Sequence, residues 1–177
     1  TGKREVERIS NEMLKVKEQV GYGGDLINFF EYVRNKKELM PYSETSEIIN
    51  HFKDIHKTIE SNSDKLFIKK PKASFEIQVS ESFMEGGSPP HYSAAAPDGS
   101  RPGIFYIPIG DPEKFNILSD ESLFAHEAVP GHHFQISLQR ENSEFPKFRR
   151  YIWCGAYGEG WALYAESLGK ELGLYTD

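Results

Sequence analysis

Residues 126–133, His126-Glu127-Ala128-Val129-Pro130-Gly131-His132-His133, place three of the chain's six histidines beside a glutamate. In the HExxH arrangement, two histidines four residues apart share a helix face and bind zinc, and the glutamate between them activates a water molecule. Here the fourth position after His126 is Pro130, so the second histidine is displaced along the chain. The stretch is therefore a zinc-binding motif only if its backbone departs from a regular helix.

An undistorted helix cannot bring these histidines together. His132 lies six residues after His126 and faces away from it, whereas His133 returns to the same face but about 10 Å further along the axis. Pro130 removes a helical hydrogen bond and Gly131 permits backbone angles closed to other residues, so this pair predicts an interruption just before His132. In the alternative interpretation, the pair simply ends the helix and the histidines line a polar turn.

A zinc site with two histidines also needs a third protein ligand, and Glu159 on a downstream helix is the candidate. Glu166, seven residues later, shares the same helical face and is a candidate for holding a ligand through a hydrogen bond. The alternative is that Glu166 is an ordinary surface acid. Ser119, followed by two acids, predicts the start of the helix that carries the motif.

Apolar periodicity divides the chain into a helical first segment, residues 1–70, and a second segment, residues 71–177, that holds the predicted metal site. Three amphipathic helices are expected in the first segment: over Glu5–Val20, from a cap at Asp25 to Pro41, and over Thr45–Glu60. His51 and His56, five residues apart on the third helix, face different sides and are expected to have surface or capping roles. In the second segment, one continuous helix is expected over about residues 146–172.

Two short strands are expected in the second segment. Phe75, Ile77 and Val79 alternate with polar residues, which is typical of a half-buried strand. Residues 104–107 form another apolar run between Pro102 and Pro108, and these prolines predict a sheet edge. Residues 86–90 and 97–103 predict loops. The expected fold class is α/β in the α+β sense, mainly helical, with a small mixed or antiparallel sheet whose edge strand borders the helix of the metal site.

Composition limits the partners of the chain. A formal charge of -6 and a pI near 5.6 argue against a nucleic-acid-binding surface, which is normally basic. One dense group of cations is interpreted as a solvated loop: Lys65, Lys69, Lys70 and Lys72. No run approaches the roughly 18 apolar residues that cross a bilayer, so no membrane-spanning segment is expected. A start without methionine and an end just after a helical pattern favour a fragment of a longer protein.

Two motifs in the right order resemble those of a known bacterial family. The segment His126–His133 is similar to the HEAxPGHH motif, and Glu159–Glu166 to the EGWALYAE motif, of the family called domain of unknown function 885. The loop at residues 98–103 is also similar to that family, and the likeness covers roughly residues 86–172. The family is placed with the gluzincin-like metallopeptidases, so the resemblance implies a zincin-like fold and a bacterial zinc peptidase.

The resemblance also implies the roles of individual residues. The ligands of Zn²⁺ would be His126, His132 and Glu159. Glu127 would be the general base of peptide hydrolysis. His132 is preferred over His133 because related zincins present their second histidine after a glycine, and His133 and Glu166 are kept as alternative ligands or as residues that hold a ligand. Members of the family are often exported, which implies a location in the bacterial cell envelope or periplasm.

The expected substrate is a peptide or protein whose extended backbone pairs with the strand at residues 104–107. Arg101, just before this strand, is a candidate for binding a terminal carboxylate, with a structural role in a turn as the alternative. Tyr106, Tyr157 and Tyr164 are candidates for stabilising the oxyanion, although buried packing is the default expectation for each. The rival interpretation is a non-catalytic metal-binding or protein-interaction domain with a zincin-like fold, and a hydrolase of non-peptide amides is a third.

Overall fold

The computed structural model describes residues 2–80 and 89–176, and within them the chain is mainly helical with one three-stranded sheet. The helices in these residues are α1 (Gly2–Gln19), α2 (Leu26–Arg34), α3 (Thr45–Ser63), α4 (Asp120–Glu127), α5 (His132–Glu141), α6 (Lys147–Tyr151) and α7 (Gly155–Ser167). The strands are β1 (Phe75–Val79), β2 (His91–Ser93) and β3 (Gly103–Ile107). The expected α+β class is confirmed. Of the loop expected at residues 86–90, residues 86–88 lie outside the described part of the chain.

The chain divides into two compact units. The first comprises Thr1–Pro41 and Phe115–Ile117, and the second comprises Tyr42–Lys114 and Leu118–Asp177. This division differs from the boundary expected at residue 70, because α3 packs against β1 and α4 and so belongs with the sheet. Among the described residues, no helix combines the length and the apolar character that crossing a membrane requires.

Helix α2 in the first unit shows how local signals set an element's ends. The Asp25 side chain accepts a hydrogen bond from the backbone N–H of Asn28 at 2.8 Å, so the expected cap is confirmed. The helix ends at Arg34 and does not reach Pro41 as expected. Asn35 explains the early end, because its side-chain amide donates to the Glu31 carbonyl at 2.8 Å and competes with continued helix.

The core of the second unit lies between α3, the sheet and α4. The buried apolar side chains of α3 are Ile48, Phe52, Ile55 and Ile59. Phe52 meets Phe105 of β3 edge to face at 5.5 Å between ring centroids, and it stacks on Phe124 of α4 at 6.1 Å. Burying an aromatic or branched aliphatic side chain contributes about 1.5–3 kcal/mol. This cluster therefore fixes α4, and the histidine that α4 carries, against the sheet.

The two histidines of α3 have partly buried positions, and neither belongs to the group of metal donors found among the described residues. His51 Nε2 lies 3.2 Å from Asp120 Oδ2 at the start of α4. Burial raises the pKa of Asp120, and the imidazole of His51 opposes that shift. The ring of His56 packs edge-on against Phe75 at 4.8 Å. Both histidines therefore join α3 to its neighbours.

Strand β3 is the centre of the sheet, so the expected edge position is wrong. It pairs in parallel with β1, with Phe75 opposite Gly103, and antiparallel with β2, with Tyr92 opposite Phe105. Pro102 and Pro108 lie immediately outside the strand, and neither removes a hydrogen bond from the ladder. The outer strands of this sheet are β1 and β2.

The helix expected over residues 146–172 is interrupted between α6 and α7. The backbone is extended at Ile152, with φ -70° and ψ 136°, and at Cys154, with φ -120° and ψ 106°. This extended segment brings the indole of Trp153 against Gly158, where an added Cβ would overlap the ring. The two residues fit together because residue 158 has no side chain.

Candidate metal centre

The motif helix is interrupted where its sequence predicts. Helix α4 ends at Glu127 and α5 begins at His132, with a four-residue connection that contains a cis peptide bond between Val129 and Pro130. Gly131 directly precedes α5 as its N-terminal cap residue. The interruption expected from the proline and glycine is confirmed.

The connection folds tightly onto the end of α4. A Cβ added to Gly131 would come closer than 3.0 Å to the carbonyl oxygens of both His126 and Ala125, which real Cβ atoms essentially never do. As a result, the rings of His126 and His132 approach edge to face, with 4.8 Å between their centroids. Residue 131 is therefore restricted to glycine by the same packing that brings the two imidazoles together.

Donor atoms from three elements converge beside this connection. One ligand atom each from His126, Glu127 and His132 lies within 4.8 Å of the others. Glu159 arrives from α7, with Oε2 3.4 Å from His126 Nε2 and 3.7 Å from His132 Nε2. Two ligands at about 2.1 Å from a tetrahedral zinc ion lie roughly 3.4 Å apart. Each imidazole therefore lies about one zinc-ligand spacing from the Glu159 carboxylate, and the three side chains are donors of the types that zinc binds.

Glu166 approaches the opposite side of the His126 ring. Its Oε1 lies 2.7 Å from His126 Nδ1. A carboxylate accepts hydrogen bonds, so this contact orients the ring with Nδ1 as the donor and directs Nε2 towards Glu159. Glu159 and Glu166 are two helical turns apart on α7, so one helix reaches both nitrogens of the same imidazole.

His132 is buried, and its surroundings favour the neutral imidazole. Its ring packs edge-on against Trp153 at 5.6 Å. Burial lowers the pKa of His132, and the neighbouring His126 lowers it further. Within residues 2–80 and 89–176, the buried Nδ1 atom has no hydrogen-bond partner, so packing holds this ring. A metal ligand must be deprotonated, and the lowered pKa meets that requirement.

Glu127 is held by the backbone of β2. The N–H of Tyr92 donates to Glu127 Oε2 at 3.0 Å. Burial raises the pKa of Glu127, while the His126 ring and the Tyr92 N–H act in the opposite direction. A carboxyl group whose pKa is raised towards neutrality is suited to taking up a proton and returning it.

His133 lies outside this cluster of donors. Its Nδ1 is 2.9 Å from Tyr92 Oη, and its ring packs against Phe75 at 4.8 Å. Burial lowers the pKa of His133 to about 4, which keeps the ring neutral. Of the two adjacent histidines, His132 is the one that lies beside His126, and His133 supports the sheet.

Arg101 and Tyr106 make local contacts near the sheet. The Arg101 guanidinium donates to the carbonyl of Ala94 at 2.7 Å and to that of Pro102 at 3.1 Å. These bonds are those of an arginine that holds a turn. Tyr106 lies in β3, and its ring stacks on His91 at 5.1 Å. Neither side chain belongs to the group of donors around His126.

Tyr157 and Tyr164 are 56% and 54% exposed, so the expected buried packing is wrong for both. The reason lies in the face that α7 turns inward, which consists of Gly158, Ala162 and Ala165. Small residues there allow close packing, and the large side chains are directed outward. Tyr157 is therefore accessible from solvent beside the interrupted segment.

The sequence patterns did not reveal two tryptophans and one tyrosine that shape the site. The indole N–H of Trp161 donates to the Pro130 carbonyl at 2.7 Å and holds the connection between α4 and α5. Trp153 packs on His132, and Tyr92 presents its backbone to Glu127. Trp161 lies within the EGWALYAE segment, and this position was the sequence feature from which a role at the site could have been predicted. Tyr92 lies in a strand of three residues, which is too short for a periodicity to show.

Comparison with known proteins identifies the family of the chain. The family model described as "Bacterial protein of unknown function (DUF885)" matches residues 1–177. The chain belongs to the DUF885 family. The resemblance expected over residues 86–172 is confirmed, and membership extends over the helical first part as well.

The DUF885 chain is also similar to a protein of known structure. A crystal structure of a "putative lipoprotein" from Colwellia psychrerythraea matches it with a TM-score of 0.91 and 30% sequence identity. The match covers 99% of this chain and 31% of that chain, so this chain spans less than a third of that protein. Comparison with curated proteins gives no match.

Proposed function

We propose that this DUF885 chain carries the active site of a zinc-dependent peptidase, with the ion held by His126, His132 and Glu159. The observation that supports the proposal is the position of Glu159 Oε2, 3.4 Å and 3.7 Å from the Nε2 atoms of two imidazoles on other helices. Bound zinc would supply a Lewis acid that polarises the scissile carbonyl and lowers the pKa of water. Glu166 fixes the tautomer of His126 that this arrangement needs.

Glu127 is the proposed general base. It would take a proton from the attacking water and deliver it to the leaving amine. The Tyr92 N–H binds Oε2, which leaves Oε1 for the proton. The burial that raises the pKa of Glu127 serves the first step, because a stronger base takes up the proton of the water more readily, and the proton is then available for transfer to the leaving amine.

We place the substrate backbone along the outer edge of β2. Strand β3, the strand first expected to pair with substrate, already has a neighbour on each side. The Tyr92 N–H of β2 points to Glu127, so the outer edge of β2 faces the proposed base. A peptide added to this edge would present its carbonyls beside Glu127.

A location in the cell envelope is part of the proposal. It rests on the Colwellia psychrerythraea protein, which is described as a putative lipoprotein and is similar to almost all of this chain. Fractionation of cells that express the full-length protein tests it. Recovery from the cytosol alone would contradict the proposed location.

Elemental analysis of the purified protein tests the ligand set. We expect about one zinc ion per chain in the unaltered protein, retention in His133→Ala, and loss in His126→Ala and His132→Ala. Zinc retained by His132→Ala and lost by His133→Ala would overturn the assignment. Zinc absent from the unaltered protein, also in its full-length form, would overturn the metal site itself.

Glu127→Gln separates a peptidase from a non-catalytic metal-binding domain. In the full-length protein, we expect this variant to keep zinc and to lose peptidase activity by about 10²-fold or more. Glu76→Gln is the matched control, because Glu76 is exposed on β1 and should leave both properties unchanged. Activity that survives Glu127→Gln would contradict the role of the base. Bound zinc without activity in the unaltered protein would favour the non-catalytic domain.

A further inference from the structure

A cavity of about 700 Å³ lies beside helices α5, α6 and α7 and the segment before β1. Its volume falls in the range of roughly 300–1,000 Å³ that is typical of small-molecule sites. Gln135 and Trp161 line it from the helices that also carry His132 and Glu159. None of the proposed zinc ligands lines the cavity, and neither does Glu127. The cavity is therefore a separate site on shared helices.

The lining of the cavity concentrates positive charge in a chain with a formal charge of -6. Four of the lining residues are cations: Lys69, Lys70, Lys72 and Arg149. Lys70 pairs with Asp64 at 2.7 Å, whereas the other three form no ion pair within the described residues. The three lysines, which the sequence alone indicated to be a solvated loop, thus belong to the wall of a cavity.

The acid in the cavity wall, Glu141, forms no ion pair with these cations within the described residues. Glu141 uses its carboxylate on the backbone, where it accepts hydrogen bonds from the N–H of Lys72 at 2.8 Å and 3.0 Å and from the N–H of Ala73 at 2.9 Å. These bonds hold the lysine segment against the end of α5. The side chains of Lys69, Lys72 and Arg149 are left to bind a negative charge from outside the chain.

The rest of the wall is suited to an apolar group. Phe145, Tyr157 and Trp161 contribute aromatic surface, and the Arg149 guanidinium lies 4.5 Å above the Phe145 ring. A cation and an aromatic face are thus presented side by side. Gln135 is 5% exposed, and its buried Oε1 has no hydrogen-bond partner within the described residues. The wall thus combines cations with aromatic rings and an amide.

We propose that this cavity binds a small anion that carries an aromatic or apolar body. Lys69, Lys72 and Arg149 would bind the charged group through charge-assisted hydrogen bonds. Tyr157 and Trp161 would pack against the body. An inorganic anion lacks the apolar part that the aromatic rings would contact. An aromatic cation has the same sign of charge as the lysines and the arginine of the wall. The site goes beyond the proposed peptidase function, because neither the zinc ligands nor the base takes part.

Calorimetric titration with a pair of probes tests the site. The probes are 1-naphthoate and 1-naphthylmethylammonium, which share a ring system and differ in charge, and phosphate serves as an anion without the ring. We expect saturable binding of naphthoate and at least about tenfold weaker binding of the other two. Equal binding of the two naphthalene compounds would overturn the proposal. The assay has no catalytic step, so its result is independent of peptidase activity.

Variants locate the binding. The triple variant Lys69→Gln, Lys72→Gln, Arg149→Gln should weaken naphthoate binding by about tenfold or more. The control triple variant changes three exposed lysines elsewhere in the same unit and alters the net charge equally: Lys53→Gln, Lys57→Gln and Lys170→Gln. We expect the control to bind as the parent does. Equal loss in both would indicate attraction by overall charge and would overturn the site.

Cys154 gives a readout inside the cavity. It is the chain's one cysteine, it is exposed, and it lines the cavity. Bound naphthoate should slow its alkylation by iodoacetamide. Leu138→Trp keeps the charge but fills the cavity, so it should abolish naphthoate binding, with circular dichroism confirming the fold. Naphthoate that binds without protecting Cys154, or that still binds after Leu138→Trp, would place binding elsewhere and refute the proposal.

Discussion

Gly131→Ala is the most direct perturbation of the interrupted helix. The added methyl group would come closer than 3.0 Å to the carbonyl oxygens of His126 and Ala125, which are backbone atoms and cannot rotate away. Relief of the overlap needs a shift on the order of 1 Å, whereas metal–ligand distances tolerate roughly 0.2 Å. Overpacking of this kind costs about 1–3 kcal/mol. We expect zinc affinity to fall by at least about tenfold. The free energy of unfolding should fall by about 1–3 kcal/mol.

Competition with a chromophoric chelator measures zinc affinity, and urea denaturation of the metal-free protein measures stability. Gly160→Ala is the control, because Gly160 adjoins Glu159 but an added Cβ meets nothing within 4 Å. This variant should keep zinc and gain about 0.5–1 kcal/mol from the helix preference of alanine. Should Gly131→Ala bind zinc and unfold as the parent does, the packing of residue 131 on α4 is not what brings His126 and His132 together.

Three further predictions concern the surroundings of the site. Glu166→Gln should lower zinc affinity by about 10–100-fold in the same competition assay, and unchanged affinity would mean that the 2.7 Å contact does not orient His126. Burial lowers the pKa of His133 from 6.5 to about 4. Because the folded state disfavours the charged ring, this shift costs up to roughly 3 kcal/mol of stability as the pH falls from 6.5 towards 4, and it has no effect above pH 6.5. His133→Gln should therefore flatten a profile of unfolding free energy between these pH values, and a profile as steep as the parent's would contradict the burial argument. Trp161→Phe leaves the Pro130 carbonyl without its donor and should cost about 1–3 kcal/mol in urea denaturation, an expectation that equal stability would exclude.

The parts of this fold that single residues determine could be predicted from the sequence. Pro130 and Gly131 act on the backbone whatever surrounds them, so the interruption of the motif helix followed from residue type alone. The cap at Asp25 could be predicted for a similar reason, because its hydrogen bond is to Asn28, three residues away, and does not depend on the rest of the fold. The apolar stripe of α3 also predicted which side chains are buried, because period and burial are directly linked in a helix.

The parts that depend on distant neighbours could not be predicted in this way. Pro102 and Pro108 restrict the backbone only at their own positions. Strand β3 is central because it pairs with both β1 and β2, and neither proline indicates that pairing. The break before α7 similarly depends on the packing of Trp153 against His132, which lies on a separate helix. The spacing of Glu159 from the histidines is a tertiary property too, because separate helices carry them.

The hydrogen bond from the Tyr92 backbone to Glu127 has a consequence for how such a site changes through mutation. Every amino acid except proline carries a main-chain N–H, so residue 92 can vary in its side chain without loss of the donor. What must persist is the pairing of β2 with β3, which sets where that N–H points. The orientation of Glu127 therefore depends on the register of β2 against β3. Tyr92→Pro is the substitution at this position that removes the N–H donor.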